Sequence, residues 1–358
     1  MRRALFLAQT QARYASPNPR VGAVLVRGAH VVGEGATRPY GGPHAEVVAL
    51  HKAGSKANGS TLYVTLEPCS HFGKTPPCVN SIIRSGVRKV VAAMKDPNPL
   101  VRGKGFQGLR KAGLTVKSGL LEKEAGELNS HFIYSVTHHR PWVILKAALS
   151  MDGKIASAGN RHRWITGYRA RRKTHELRAK VDAILVGRNT GQRDDPALTV
   201  RLPGYRRKDG WPLRVLLDSG LKVSLKSKLF KGEARTVVFT SPSASKAREK
   251  ALVKRGVLVF RVPGRKKMLS LRAVLKVLHS LQVRTLLVEG GAKVHSSFLK
   301  EKLVDEVVLF IAPKILGEKA LGWVGLDRIE NFKQLPYLRH SRLERIGDDL
   351  MMIGKMKG

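Results

Sequence analysis

The first nine residues (Met1-Arg2-Arg3-Ala4-Leu5-Phe6-Leu7-Ala8-Gln9) set a basic opening before a short apolar run and read as an amphipathic helix. They lack the long apolar core and small-residue cleavage site of a signal peptide. Ser16-Pro17-Asn18-Pro19 reads as a turn. Residues 21–26 form an apolar run that predicts a buried strand, with residues 31–35 as its hairpin partner. A helix carrying Glu46, a strand over 61–66, a helix over 79–85 and a strand over 89–94 follow. That last strand ends at Asp96-Pro97-Asn98-Pro99. Strands alternating with helices predict a layered α/β domain. Polar residues at strand ends are where such sheets bind ligands.

The periodic signals weaken over residues 130–141, where His138-His139-Arg140-Pro141 breaks the pattern. A boundary there gives domains 1–138 and 139–358, with the paired histidines in an exposed linker. Beyond it, residues 142–148 predict a strand, followed by residues 150–156, Trp164-Ile165-Thr166-Gly167 and an Arg-rich helix. A strand over 183–187 leads to Thr190 and to the run 194–201, and another strand begins at Arg214. Near residue 288 a strand turns through Gly290-Gly291 into a helix, a form that can cradle phosphate. No Gly-x-Gly-x-x-Gly fingerprint accompanies it.

At 358 residues the chain has room for two cores, and its 42% hydrophobic content is that of a folded protein. There is no run of about 18 apolar residues, so no membrane span is expected. Two cysteines exclude a disulfide framework, and as metal ligands they need a reducing compartment, which points to the cytoplasm. The net charge of +40 divides into 19 − 7 = +12 over residues 1–139 and 47 − 19 = +28 over residues 140–358. Such a balance attracts phosphate-bearing partners, nucleic acid among them. Aromatic residues make up only 6% and do not cluster among the basic ones, which argues against base-stacking platforms. The densest knots are Arg169 with Arg171-Arg172-Lys173, then Arg206-Arg207-Lys208 and Arg265-Lys266-Lys267. Short knots of this kind read as solvated surface, and a phosphorylated small molecule suits the charge better.

The chemistry concentrates in Pro43-His44-Ala45-Glu46 and in the run from Glu67 to Cys78, which holds both cysteines. One imidazole and two thiolates fill three corners of a tetrahedral zinc site and leave the fourth for water. Zinc brings the pKa of that water to roughly 7. Glu46 is then free to carry a proton from water to a leaving amine. Residues two apart do not share a helix face, so His44 is expected at the helix entry and Glu46 in its first turn. This is the His-x-Glu…Pro-Cys logic of zinc nucleobase deaminases.

Thr65-Leu66-Glu67-Pro68-Cys69-Ser70-His71, Gly73-Lys74-Thr75-Pro76-Pro77-Cys78 and Asp96-Pro97-Asn98-Pro99 resemble the deaminase half of the bifunctional riboflavin-biosynthesis deaminase–reductases. The eight-residue gap between the cysteines belongs to that resemblance, whereas nucleic-acid deaminases usually carry Cys-x-x-Cys. The second half resembles the family's reductase domain. The resemblance implies an N-terminal cytidine-deaminase-like αβα domain and a C-terminal dihydrofolate-reductase-like domain. It implies zinc on His44, Cys69 and Cys78, with Glu46 as the proton shuttle. Asn18, His71, Lys74, Asp96 and Asn98 would line the pyrimidine and ribose phosphate pocket, although Asn and Asp beside Pro also serve plain turns. NADPH would meet Ala148, Trp164, Thr190, Asp194, Ser219 and the stretch from Gly291 to Ser297. Substrate would meet Lys146, Arg178, Leu198, Arg201 and Glu289. Trp164 and Leu198 also suit core packing, and Asp194 a cap.

The chain departs from the family pattern at His162, where Ser is usual, and at Gly191, where an apolar residue is expected. A protonated His162 would bind substrate phosphate. The implied reaction is deamination of a diamino-hydroxy-pyrimidine bearing a ribosylamino 5′-phosphate, then reduction of the ribosyl group to a ribityl chain. The resemblance also implies association as a homo-oligomer. The sequence leaves open a deaminase with an inactive second domain, a nucleic-acid deaminase, and a non-catalytic nucleic-acid-binding protein.

Overall fold

The chain divides into Met1–His139 and Arg140–Gly358. The computed structural model describes residues 1–10, 15–99, 101–157, 164–205, 210–265, 268–326 and 335–356. His162, with Asn160, Arg161 and Arg163, lies outside these residues, as do Arg206, Arg207, Lys208, Lys266 and Lys267.

In the first unit, α1 (Arg2–Thr10) precedes the hairpin of β1 (Gly22–Arg27) and β2 (His30–Ala36). Then come α2 (Ala45–Ala53), β3 (Thr61–Val64), α3 (Cys78–Arg84), β4 (Lys89–Ala92), α4 (Lys104–Lys111), β5 (Thr115–Ser118) and α5 (Glu122–Leu128). The five strands lie in the order β2-β1-β3-β4-β5. β1 runs antiparallel to both neighbours, while β3, β4 and β5 are parallel.

Glycines set how closely the helices approach this sheet. A Cβ on Gly33 would lie 2.3 Å from the Ala49 carbonyl oxygen, and one on Gly35 would lie 2.6 Å from that of Ala45. Real Cβ atoms do not come so near, so only glycine lets the Ala-faced side of α2 press onto β2. The burial of Ala45, Ala49 and Ala53 follows from that contact, and it fixes the helix that carries Glu46.

Residues 130–138, expected as fading signals before a linker, form a helix, α6 (Ser130–His138). Ser135 and Val136 are buried, and His138 stacks on Tyr134 at 4.0 Å. The aromatic and β-branched residues here are weak helix formers, so the packing of one face overrides propensity. The helix ends at His139, whose φ of 53° is left-handed.

The second unit begins with β6 (Trp142–Ser150), β7 (Lys154–Ala156), α7 (Tyr168–Arg178), β8 (Ala183–Gly187), α8 (Arg188–Arg193) and β9 (Leu213–Leu217). It continues through β10 (Thr236–Thr240), α9 (Lys246–Val253), β11 (Leu258–Arg261), and the short β12 (Gly264–Arg265) and β13 (Met268–Leu269). It closes with α10 (Leu271–Ser280), β14 (Thr285–Val288), α11 (Ala292–Lys300), β15 (Glu306–Ala312), β16 (Leu321–Gly322), β17 (Leu338–Ile346) and β18 (Asp349–Met356). Nine strands form one sheet, ordered β11-β10-β9-β8-β14-β6-β15-β18-β17. All pairs from β11 to β15 are parallel, and β18 and β17 finish the sheet antiparallel.

Side chains of successive strand residues point to opposite faces. Val143, Leu145 and Leu185 therefore join one core with α10 and α11, while Ile144, Ile184 and Val186 join another with residues of α7 and α9. Parallel strands covered on both faces need continuous apolar runs, which is how β8, β10 and β14 read: every residue in them is buried.

Candidate functional site

In the first unit, His44 is the N-cap of α2, with extended backbone, and Glu46 sits in the first turn. Cys69 follows β3 on a loop, and Cys78 is the first residue of α3. The donor atoms of His44, Cys69 and Cys78 all lie within 4.8 Å of one another. His44 Nδ1 is 3.2 Å from the Cys78 sulfur and 3.5 Å from that of Cys69. Its Nε2 is 3.4 Å from Thr75 Oγ1, so the outer nitrogen bonds a hydroxyl while the inner one faces the sulfurs. That arrangement fixes the ring of a metal-binding histidine.

The Cys78 backbone N–H donates to the Cys69 sulfur at 3.3 Å, placing Cys69 at the positive N-terminus of α3. A hydrogen bond from the Cys78 thiol holds the Cys69 thiol well below its ordinary pKa, and that side-chain bond, with burial, pushes Cys78 up. The Cys69 sulfur in turn holds the His44 ring above its ordinary value. Two sulfurs and one imidazole at this spacing fit zinc, which takes such a set tetrahedrally.

Glu46 is 4% exposed, and burial, reinforced by the charge of Cys69, lifts its carboxyl to about 7. A carboxyl poised there exchanges protons readily near neutral pH.

Glu67 is a residue that motif reading passes over. Its buried carboxylate accepts the N–H groups of Asp96 (3.1 Å), Gly103 (2.9 Å) and Phe106 (3.2 Å). It thereby ties the loop bearing Cys69 to the Asp96–Asn98 turn and to the start of α4, where a negative charge meets the helix dipole. Truncating Glu67 to Ala orphans three N–H groups, so the first unit is expected to lose about 2–3 kcal/mol, read by calorimetric unfolding.

Asp96 is 6% exposed and accepts the Asn98 N–H at 2.8 Å. Burial raises its carboxyl to about 7, with the Glu67 and Cys69 charges adding to the rise. The native state therefore binds a proton that the unfolded chain releases above its ordinary value of 3.8. Stability from this group falls as pH rises between those two values. Asp96→Asn is expected to stabilise the protein at pH 8 by about 1–4 kcal/mol while slowing deamination. Denaturant unfolding at pH 5 and pH 8 checks it, and the gain is confined to the higher pH.

Of the other residues expected here, Asn18 lies on the turn after Ala15 and donates its N–H to the Ala15 carbonyl. His71 is exposed. Lys74 sits 4.3 Å above the ring of Tyr40, an aromatic partner that no motif marks.

In the second unit the structure brings Arg178, Glu289 and Lys146 together. Arg178 grips Glu289 with two bonds, Nε to Oε1 at 2.7 Å and Nη2 to Oε2 at 2.8 Å, and also donates to the Thr199 carbonyl at 3.0 Å. Burial opposes ionisation of Glu289, but Arg178 and then Lys146 overcome it and hold the carboxyl near 2. Burial lowers the Lys146 pKa, against the pull of Glu289. Arg201 donates its N–H to His175 Nδ1 at 3.1 Å. Burial and the charges of Arg178 and Arg201 lower His175 to about 4, which makes it a neutral acceptor that sequence reasoning missed.

Leu198 is 2% exposed with φ of 48°, and Asp195 has φ of 39°. Two left-handed non-glycine residues within four positions mark backbone held in place by its surroundings. The Asp195 carboxylate anchors that run to the Ser227 hydroxyl (2.6 Å) and the Lys228 N–H (2.8 Å). Asp194 is exposed and donates its N–H to the Thr190 carbonyl.

Gly291 is the N-cap of α11 and carries no side-chain cap, so the first N–H groups of that helix stay open to an anion. Thr190 Oγ1 lies 3.5 Å from where a Gly291 Cβ would be. The donor set fits a dinucleotide phosphate. Ala148 pairs with Phe310 within the sheet, the Ser219 carbonyl accepts the Thr240 and Ser241 hydroxyls, and Ser297 donates to the Lys293 carbonyl. Trp164 is 53% exposed beneath Arg171, so it is not a core residue. At Gly191 a Cβ would touch Leu216, Leu229 and Val223 within 3.5 Å. The space an apolar side chain would occupy is already filled.

Comparison with known proteins agrees with both halves. Residues 1–94 match the cytidine and deoxycytidylate deaminase zinc-binding region, and residues 141–352 match the RibD C-terminal domain. The riboflavin biosynthesis protein RibD of Aquifex aeolicus is 45% identical over 357 residues, covering 99% of this chain and 97% of the relative. RibD of Escherichia coli is 38% identical, covering 98% and 97%. Among solved structures, Acinetobacter baumannii RibD superposes with a TM-score of 0.90 at 34% identity, covering 99% of this chain and 97% of that one. A Thermotoga maritima diaminohydroxyphosphoribosylaminopyrimidine deaminase/5-amino-6-(5-phosphoribosylamino)uracil reductase gives 0.83 at 37% identity, covering 100% and 97%. With a cytidine-deaminase-like fold before a dihydrofolate-reductase-like one, and relatives this similar along their whole length, the chain belongs to the RibD family of riboflavin-biosynthesis proteins.

Proposed function

We propose that the chain performs two successive steps of riboflavin biosynthesis, a zinc-dependent deamination and an NADPH-dependent reduction. The observation that carries the first is the His44, Cys69 and Cys78 donor set beside a buried Glu46. His44, Cys69 and Cys78 would hold zinc, which would act as a Lewis acid and make water nucleophilic at neutral pH. Thr75 orients the imidazole. The Glu46 carboxyl takes a proton from the attacking water and returns it to the departing amine, so that ammonia leaves and a ring carbonyl remains. Asn18, His71, Lys74, Asp96 and Asn98 hold the pyrimidine and its ribose phosphate.

For the reduction, NADPH held in the second unit would supply the hydride that the opened ribosyl group takes up. Thr190, Asp194, Ser219 and the stretch from Gly291 to Ser297 bind the cofactor, with Ala148 and Trp164 against it. Lys146, Arg178, Leu198, Arg201 and Glu289 bind the sugar phosphate. Arg201 suits a phosphate through its guanidinium fork, and Lys146, with its charge weakened by burial, suits proton delivery to the sugar oxygen. His162 belongs to this reading as a further phosphate contact, although it lies outside the described residues.

Among the described residues no helix is long and apolar enough to cross a membrane. Two free cysteines that serve as ligands favour a reducing compartment such as the cytoplasm. The reading includes association of the chain with its own copies, which light scattering measures.

Chelation separates the two steps. Removing zinc is expected to abolish deamination of the diaminopyrimidine while reduction of the already deaminated substrate continues. Loss of both together would contradict two independent sites.

A further inference from the structure

A ring as open as that of Trp164 is not held by a surrounding core, so its direction depends on the backbone that carries it. The three residues after it are each anchored through a main-chain group. Lys314 Nζ donates to the Ile165 carbonyl at 2.8 Å, and Arg171 Nη1 donates to the Thr166 carbonyl at 2.9 Å. The Gly167 N–H donates to Asp349 Oδ2 at 2.7 Å. Only Arg171 is a local partner. Lys314 and Asp349 lie 149 and 182 residues along the chain from the groups they hold.

Asp349 opens β18 and is 3% exposed. Burying a carboxylate is costly unless it is hydrogen-bonded. Its bond goes to Gly167, the N-cap of α7, where a negative charge also meets the helix dipole. The fit is close, since a Cβ on Gly167 would lie 3.3 Å from the same oxygen. A Cβ on Gly347, in the turn between β17 and β18, would lie 3.1 Å from Arg169 Cδ. The start of α7 therefore rests on that turn. Lys314 is fixed as well, because its carbonyl accepts the Met151 N–H at 2.8 Å and so ties it to the end of β6.

We propose that Asp349 and Lys314 are positioning residues of the reductase half, holding residues 164–167 so that Trp164 presents its open ring to NADPH. The inference rests on the reductase reading above, in which Trp164 lies against the cofactor. Both residues act through the backbone and neither touches the cofactor. Arg178 sits at the opposite end of α7, gripped by its two bonds to Glu289. Loosening the start of the helix therefore weakens cofactor binding and leaves the sugar phosphate contacts in place.

The test uses the full-length protein with Asp349→Ala, Asp349→Asn and Lys314→Met. It measures kcat, KM for NADPH and KM for the deaminated substrate, with thermal unfolding alongside. Asp349→Ala is expected to raise the NADPH constant about tenfold while the substrate constant stays within about twofold of wild type. Asp349→Asn keeps an oxygen for the Gly167 N–H, so its NADPH constant is expected within about threefold of wild type. Lys314→Met changes an exposed side chain and is expected to raise the NADPH constant about threefold at an unchanged unfolding temperature.

An NADPH constant unmoved in Asp349→Ala, with a lowered unfolding temperature, would reduce Asp349 to a packing residue and overturn the proposal. Equal rises in both constants would overturn it too, since they would report general loosening of the unit. Should Asp349→Ala fail to fold, Lys314→Met decides, and an unmoved NADPH constant there overturns the proposal. Failure of the wild-type protein to oxidise NADPH with the deaminated substrate would instead sink the reductase reading, a result distinct from normal turnover with indifferent variants.

Discussion

Replacing Glu46 by Gln is expected to slow deamination by a factor on the order of 10²–10⁴ while bound zinc and NADPH-dependent reduction stay at wild-type levels. The side chain is not among the three metal donors, so the zinc site survives the change. Gln also matches Glu in size, which leaves the contact of α2 with the sheet undisturbed. What is lost is a group that both takes and gives a proton. Burial sets Glu46 at about 7, which balances the two tasks near neutral pH, and an amide performs neither. Metal analysis with separate assays of the two steps reads the outcome. A variant that keeps zinc and deaminates within tenfold of wild type would remove Glu46 from the mechanism.

Replacing Arg178 by Met is expected to destabilise the second unit by about 3–5 kcal/mol and to abolish reduction. Both partners are nearly enclosed, with side-chain exposures of 13% for Arg178 and 9% for Glu289. The replacement strands the carboxylate without its two charge-assisted bonds. The pH dependence has a definite sign. In the native protein Glu289 titrates near 2, below its ordinary 4.5, so its contribution is intact at neutral pH and disappears only as pH falls through about 2. Without the guanidinium, burial raises the carboxyl above its ordinary value, and protonation relieves the stranded charge. The deficit of the variant is therefore largest at pH 8 and shrinks toward pH 5. Adding Glu289→Gln to Arg178→Met is expected to restore part of the stability and none of the reduction. Chemical unfolding of the single and double variants across that range checks both statements.

These two predictions draw on different kinds of legibility. His44, Glu46, Cys69 and Cys78 could be picked out from the chain because metal chemistry demands few residue types and because helix entry fixes what two-residue spacing can do. The alternation of strands and helices was equally plain, since β8, β10 and β14 are short apolar runs bounded by turns. α6 was not, because Ser, Thr, Phe, Ile and Val have little helix preference and the helix exists through what Ser135 and Val136 bury. Glu67 was hidden for another reason. Its partners are backbone N–H groups 29 to 39 residues away, and no side-chain pattern announces them. His175 was likewise invisible as an acceptor, since its neutrality comes from burial and from the Arg178 and Arg201 charges that folding brings close. The left-handed backbone of Asp195 and Leu198 also belongs to the fold alone, because the residues themselves disfavour it.

If one chain carries both chemistries in sequence, a mass-spectrometric time course with zinc-loaded protein, the diaminopyrimidine ribosylamino phosphate and NADPH follows the two steps in turn. The expected record is a deaminated species that rises first, and a species two hydrogens heavier that grows at its expense with equal consumption of NADPH. Deamination that halts at the first product would contradict the reductase assignment, and unchanged substrate with zinc bound would contradict the deaminase assignment.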